Sequence, residues 1–278
     1  MKKNQNPFLS SSTELSDVQF NKVKDLIYRE CGICLKSGKE ALVRARLTKR
    51  LRALGMGSFD EYVAYLENDG DQFELTSMVD VMTTNKTSFF REIDHFHFLR
   101  DTVHPGIKSR KIRVWSAGCS SGEEPYTHAM VLFESLPDID SRDALILATD
   151  ISTRMVRQTK SALYSDEKLA TLPKTFLNRY FTKTRANGES AYQVVPRIRK
   201  IVRTARLNLM DPWPMKGPFD AIFCRNVMIY FDTQTQHKLV NRFWELLRGG
   251  GYLFVGHSEG LSSIKHQFRY QKPAVYKK

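Results

Sequence analysis

Val114-Trp115-Ser116-Ala117-Gly118-Cys119-Ser120-Ser121-Gly122-Glu123-Glu124-Pro125 reads as a strand, a loop of small residues and the start of a helix. Small residues let a ligand approach the backbone closely, and a strand-loop-helix of this kind is where nucleotide-like ligands usually sit. The spacing is not the G-x-G-x-x-G of dinucleotide binders. Glu123 and Glu124 at the helix start would also repel a pyrophosphate, which otherwise favours a helix N-terminus. A positively charged ligand fits better.

S-adenosylmethionine carries a sulfonium and an α-ammonium and no phosphate, so acidic groups at this loop would favour it where they would oppose NAD. Carboxylates also stabilise helix N-termini without touching a ligand, and the loop alone leaves both readings open. A second apolar run ends in Thr149-Asp150, which places a carboxylate at the carboxyl edge of the sheet, where it can accept hydrogen bonds from ribose hydroxyls. The alternative for Asp150 is a cap on the segment that begins at Ile151.

Outward from this stretch, short β-rich runs alternate with helical segments. Ile112–Trp115, Leu145–Ala148, Phe219–Cys224 and Tyr252–Val255 are the strands, and the alternation predicts a parallel sheet covered by helices over residues 111–278. The stretch at about 173–206 differs, because Asn187-Gly188-Glu189-Ser190 is a turn signal beside the alternating Tyr192-Gln193-Val194-Val195, which predicts a small antiparallel insertion. Residues 16–85 read as helical throughout, with Phe20, Val23 and Ile27 at helix spacing and Ser58-Phe59-Asp60-Glu61 as a capping box. Residues 86–110 are expected to be a linker, and residues 1–15 a flexible polar tail. The expected class is α/β, Rossmann-like, with an all-α domain in front.

The 278 residues, 41% of them hydrophobic, suffice for two cores. No run approaches the roughly 20 apolar residues of a membrane span, and Met1–Pro7 lacks the apolar core of a signal peptide, so a cytoplasmic location without membrane insertion is expected. Four cysteines are too few for a disulfide framework, and Cys31-Gly32-Ile33-Cys34 has no second pair to complete a zinc site. His95-Phe96-His97 would chelate only from a strand and reads as helical, so no metal is expected. The net charge of +13 implies an acidic partner. Lys36, Lys39, Arg44, Arg46, Lys49, Arg50 and Arg52 stand against Glu40 alone, beside the apolar stripe Val43, Leu47, Leu51 and Leu54 of a helix that Gly55 ends. That pattern projects Arg46, Lys49 and Arg50 away from the core. A basic stripe is by itself most often a solvated face.

Asn85-Lys86-Thr87-Ser88-Phe89-Phe90-Arg91-Glu92, Trp115 to Tyr126 and Cys224-Arg225-Asn226-Val227-Met228-Ile229-Tyr230-Phe231 together resemble the bacterial chemotaxis receptor methyltransferases, in order and at similar spacing from about Ser16 to the end. The resemblance implies transfer of a methyl group from S-adenosylmethionine to receptor glutamates, leaving S-adenosylhomocysteine. It implies that Asn85, Thr87 and Arg91 close over the cofactor while Glu124, Asp150, Asn208, Leu209, Arg225 and Asn226 line the rest. Arg91 and Tyr230 would lie nearest the acceptor. It further implies that Arg46, Lys49 and Arg50 face the acidic helical domain of chemoreceptors, and that the insertion can take a receptor C-terminal peptide by strand addition.

Two other functions compete with it. A nucleic-acid methyltransferase suits the positive charge, but amino-methylating enzymes of that kind present N/D-P-P-aromatic after the fourth strand, where this chain has Cys224-Arg225-Asn226-Val227. Asp211-Pro212-Trp213-Pro214 precedes that strand and marks a loop, so no nucleic-acid partner is expected. A non-catalytic cofactor-binding sensory module would keep the fold and lose turnover; intact Arg91, Glu124, Asp150 and Asn226 speak against it.

Overall fold

The computed structural model describes residues 14–68, 72–186 and 188–278, so the expected tail lies outside the described residues except for Glu14 and Leu15. The chain divides into two compact units, residues 1–84 and 85–278.

In the first unit, α1 (Asp17–Cys31), α2 (Glu40–Leu54), α3 (Phe59–Asn68) and α4 (Gln72–Met82) follow one another. Ser16 and Gln19 cap α1 reciprocally, and Gly32 and Gly55, both left-handed, end α1 and α2. Phe20, Val23 and Ile27 pack inward with Val43, Leu47 and Leu51. At the start of α3 the Glu61 N–H donates to Ser58 Oγ at 3.2 Å, while the Glu61 carboxylate accepts from the Gly57 N–H at 2.9 Å, one residue before the expected cap.

The basic stripe of α2 departs from expectation. Lys49 is exposed, but Arg50 forms a two-pronged ion pair with Glu74, which is 2% exposed and also accepts a hydrogen bond from the Tyr62 hydroxyl at 2.8 Å. Arg46 donates to the Met82 carbonyl and, at 2.9 Å, to Thr84 Oγ1. The helical wheel placed both off the apolar stripe; it could not show that long side chains there reach α4 and the residues after it.

The second unit opens with α5 (Asp94–Phe98), which continues into a π-helical turn at Leu99–Val103. The segment expected to be a linker is therefore part of the domain. Phe89, Phe96, Leu99, Val103 and Ile107 are buried in its main hydrophobic core, an apolar spacing that fits a packed helix rather than a tether.

The sheet is built from β1 (Lys111–Ala117), β2 (Asp143–Asp150), β6 (Val202–Arg206), β7 (Phe219–Cys224), β8 (Leu247–Val255), β9 (Arg269–Lys272) and β10 (Val275–Lys277) in the order β6-β2-β1-β7-β8-β10-β9. The first five strands of that order are parallel and the last two antiparallel. α6 (Glu123–Ser135), α7 (Thr153–Ser161) and α11 (Thr233–Leu246) connect and flank them. β7 is buried along its whole length, as a strand covered on both faces must be.

The insertion is a three-stranded antiparallel sheet, β3 (Leu163–Ser165), β5 (Glu189–Val194) and β4 (Phe181–Ala186) in that order, with α8 (Asp166–Leu169) and α9 (Lys174–Tyr180) between its strands. Its limits differ from the expected 173–206 at both ends. It begins ten residues earlier, at Leu163. After α10 (Pro196–Arg199), the run Val202–Arg206 leaves it and pairs with β2 in the main sheet. That strand is an edge of the main sheet, and the turn signal and alternation at 187–195, which marked the insertion, do not fix where it ends. Among the described residues no helix is long and apolar enough to cross a membrane.

Candidate active site

In the order β6-β2-β1-β7-β8 the chain goes out from β1 on one side and later returns on the other, so the topological switch point lies between β1 and β7, at the carboxyl ends of the strands where open α/β sheets form their ligand crevice. The residues singled out by the sequence converge there. β1 leads into Gly118–Gly122, β2 ends at Asp150, β6 leads to Asn208 and Leu209, and β7 leads to Arg225 and Asn226.

The loop after β1 is wound tightly: Gly118, Ser120 and Gly122 all have positive φ. A Cβ on Gly118 would collide with Val227 Cγ2 in the loop after β7, so glycine is what lets the two loops meet. Ser120 has no such freedom and is held from both sides. Its N–H donates to Asp150 Oδ2 at 2.8 Å and its hydroxyl to the Asn85 carbonyl at 2.9 Å. Asp150 also accepts the Ser152 N–H at 2.9 Å, so the strand-end carboxylate fixes the loop and supports the start of α7 at once.

The two glutamates at the start of α6 diverge. Glu123 is fully buried and pairs with Lys168 of α8 at 2.7 Å, which takes it out of the crevice. Glu124 accepts the Ser116 hydroxyl at 2.7 Å and Arg225 Nη1 at 3.0 Å. Burial pushes its carboxyl above the ordinary value despite Arg225 and Ser116.

Arg225, its side chain 2% exposed, spends its guanidinium within the protein: on Glu124, on Glu92 at 3.1 Å and on the Arg91 carbonyl. These contacts pin the 88–92 segment to the sheet. Burial raises the Glu92 carboxyl, but Arg225 and then His257 outweigh it and leave it below its ordinary value. Phe90 and Glu92 have positive φ, a conformation that non-glycine residues hold only when the surroundings enforce it. Aromatic packing enforces it. Phe89 packs edge-on against Tyr164 and Phe181 of the insertion, and Phe90 against Phe96 and Phe176.

Asn85, Thr87 and Arg91 lie half-buried on this segment, with Arg91 Nη1 donating to the Lys86 carbonyl at 2.8 Å. Asn208 accepts the Met210 N–H and donates to Asp211, while the Leu209 carbonyl accepts from Trp213 Nε1 and Arg242. Tyr230 is half-buried in a single 3-10 turn, Met228–Tyr230.

Sequence reasoning missed Glu92, Ser116, His257 and Glu259. Glu92, His95 and His257 bring their ligand atoms within 4.8 Å of one another. The Glu92 carboxylate, however, is engaged by Arg225, by the His257 N–H and by Asn226 Nδ2, so it is matched to a guanidinium rather than to a metal ion. The signal for Glu259 was present: Gly256-His257-Ser258-Glu259-Gly260 is a polar, glycine-bounded run at the end of a buried strand.

Residues 85–276 match the family model described as CheR methyltransferase, SAM binding domain, and residues 19–83 match CheR methyltransferase, all-alpha domain. The chain is 41% identical to a chemotaxis protein methyltransferase of Escherichia coli over 94% of this chain and 91% of that one. It is 37% identical to one of Borreliella burgdorferi over the whole of both. A probable chemotaxis protein methyltransferase of Rhizobium etli is 39% identical over 87% of this chain and 93% of that one. A two-unit chain, helical in front and Rossmann-like behind with a small antiparallel sheet, thus belongs to the CheR methyltransferase family.

Proposed function

We propose that this chain transfers the methyl group of S-adenosylmethionine to glutamate side chains of chemoreceptors, giving γ-glutamyl methyl esters. The observation that carries the reading is the convergence of Glu124, Asp150, Arg225 and Asn226 on the crevice between β1 and β7, under a segment that presents Arg91. The names of the relatives point to chemotaxis as the setting.

The residues fit the cofactor. Glu124, a carboxyl raised by burial, gains from a cation beside it, and Asp150 stands where a ribose would need an acceptor. Bound S-adenosylmethionine supplies a methyl group on positively charged sulfur; an acceptor oxygen forms the new C–O bond as the S–CH3 bond breaks and its electron pair stays with sulfur. A glutamate is ionised at neutral pH, with a reference pKa of about 4.3, so no general base is required. The protein's work is alignment and exclusion of water. Arg91 positions the acceptor carboxylate, Tyr230 flanks it, and Asn85 and Thr87 close over the cofactor with Leu209 and Asn208 at the far edge. On the helical unit, the exposed Lys49 steers the acidic receptor helices, and the insertion offers the edges of β3 and β4 to a receptor tail peptide.

Incubation with tritiated cofactor and membranes bearing chemoreceptors tests the reading. Label released by alkali as methanol supports it, and alkali-stable label overturns it. Arg91→Ala should lose far more turnover than affinity for S-adenosylhomocysteine.

A further inference from the structure

Glu259 lies four residues beyond β8 and is 7% exposed, yet it belongs to no part of the site derived above. Its Oε2 accepts the N–H of Asn226 and that of Gly256, both at 2.6 Å, and its Oε1 accepts the N–H of Ile229 at 3.0 Å. One carboxylate thereby spans the ends of β7 and β8. Asn226 holds φ +58°, a conformation asparagine tolerates better than most residues but that still requires fixing.

Gly256 is part of the same device. A Cβ there would stand 2.6 Å from Asn226 Nδ2, 2.6 Å from Glu259 Oε2 and 3.0 Å from Asn226 N, so only glycine permits the approach. Burial raises the Glu259 carboxyl, and the N–H groups of Asn226, Gly256, Ile229 and Met228 counter this by solvating the charge. Asn226 Nδ2 in turn reaches Glu92 Oε1 at 3.4 Å, so whatever holds Asn226 also bears on the segment carrying Arg91.

We propose that Glu259 is a positioning residue for methyl transfer: its carboxylate sets the 225–231 loop so that Asn226 meets the cofactor and Tyr230 the acceptor. The inference rests on the methyltransferase reading of that loop. An amide cannot replace the carboxylate, because its NH2 would face a backbone N–H where an oxygen now accepts one.

The test is Glu259→Gln in the full chain, with calorimetry against S-adenosylhomocysteine to count folded binding sites and methylation of receptor-bearing membranes to measure turnover. Turnover per binding site should fall about 10- to 100-fold, the scale of a misplaced catalytic group. A merely structural role would lower the number of sites and leave turnover per site unchanged, and that result overturns the proposal. If the unaltered protein binds S-adenosylhomocysteine but labels no receptor, the acceptor assignment fails instead. The strut is then judged by affinity, which the Gln variant must weaken. Should Glu259→Gln yield no binding-competent protein, Glu259→Asp decides: it keeps the charge, falls one methylene short of the three N–H groups, and must still turn over more slowly per site.

Discussion

Arg225 and Glu124 meet at 3.0 Å across the crevice, and the same guanidinium holds Glu92 at 3.1 Å. The guanidinium is 2% exposed and each carboxylate 13%, with the backbone carbonyl of Arg91 as a fourth partner. Arg225→Ala would leave the two carboxylates facing each other without a cation, and should cost about 2–3 kcal/mol in denaturant unfolding, below the scale of a fully buried pair because both carboxylates keep some contact with water. Arg225→Lys should recover little, since a point charge cannot reach partners in three directions.

Cofactor affinity should depend on pH through Glu124. Its carboxyl is raised by burial, and only the ionised form attracts a cation. Protonation therefore competes with binding, and affinity for S-adenosylmethionine, whose sulfur is positively charged, should decline as pH falls through the raised pKa. Glu124→Gln should bind more weakly at neutral pH, and titration calorimetry across the acid range should find its dependence flattened.

On the helical unit, neighbouring basic residues should behave differently. Lys49→Glu should slow receptor methylation at low salt and move stability by no more than about 0.5 kcal/mol, as exposed substitutions do. Arg50→Glu should unfold the unit more readily, by about 2–3 kcal/mol, because it strands Glu74; the figure is reduced from that of a fully buried pair since Arg50 is 20% exposed. Parallel melting curves and rates separate the two effects.

Acid should destabilise the second unit through its buried histidines. His104, hydrogen-bonded to Ser135 Oγ at 3.0 Å, is held down to about 3 by burial, and His128 beside it is lowered well below its ordinary value. In the unfolded chain both take up a proton near pH 6.5, so the unfolded state binds more protons below that value. The stability they contribute is present above about pH 6.5 and is lost progressively as pH falls toward 3. The melting temperature should drop between pH 7 and 5, and the drop should shrink in a His104→Asn, His128→Asn double variant.

Much of this architecture is legible in the chain. The four central strands, the helix cap at Ser58, the helix end at Gly55 and the Gly118–Gly122 loop all follow from local chemistry: apolar runs, capping side chains and small residues at a strand end. What escaped was set by tertiary partners. Arg50 looks solvent-bound until Glu74 is brought beneath it, and nothing local announces that Arg225 joins Glu92, 133 residues away. Val202–Arg206 falls outside the insertion because its partner is β2, more than fifty residues earlier in the chain, which no local turn or alternation signal reveals.

The edge-to-face packing of Phe89 on Tyr164 and Phe181 ties the insertion to the arch over the crevice. Residues 163–194 are therefore not an interchangeable cassette. A chimera that imports this sheet from a relative would have to import a matching pair at 89 and 90 as well, or the arch would rest on a surface shaped for other rings. Divergence in the insertion and in the arch should accordingly proceed together, through paired replacements rather than through the insertion by itself.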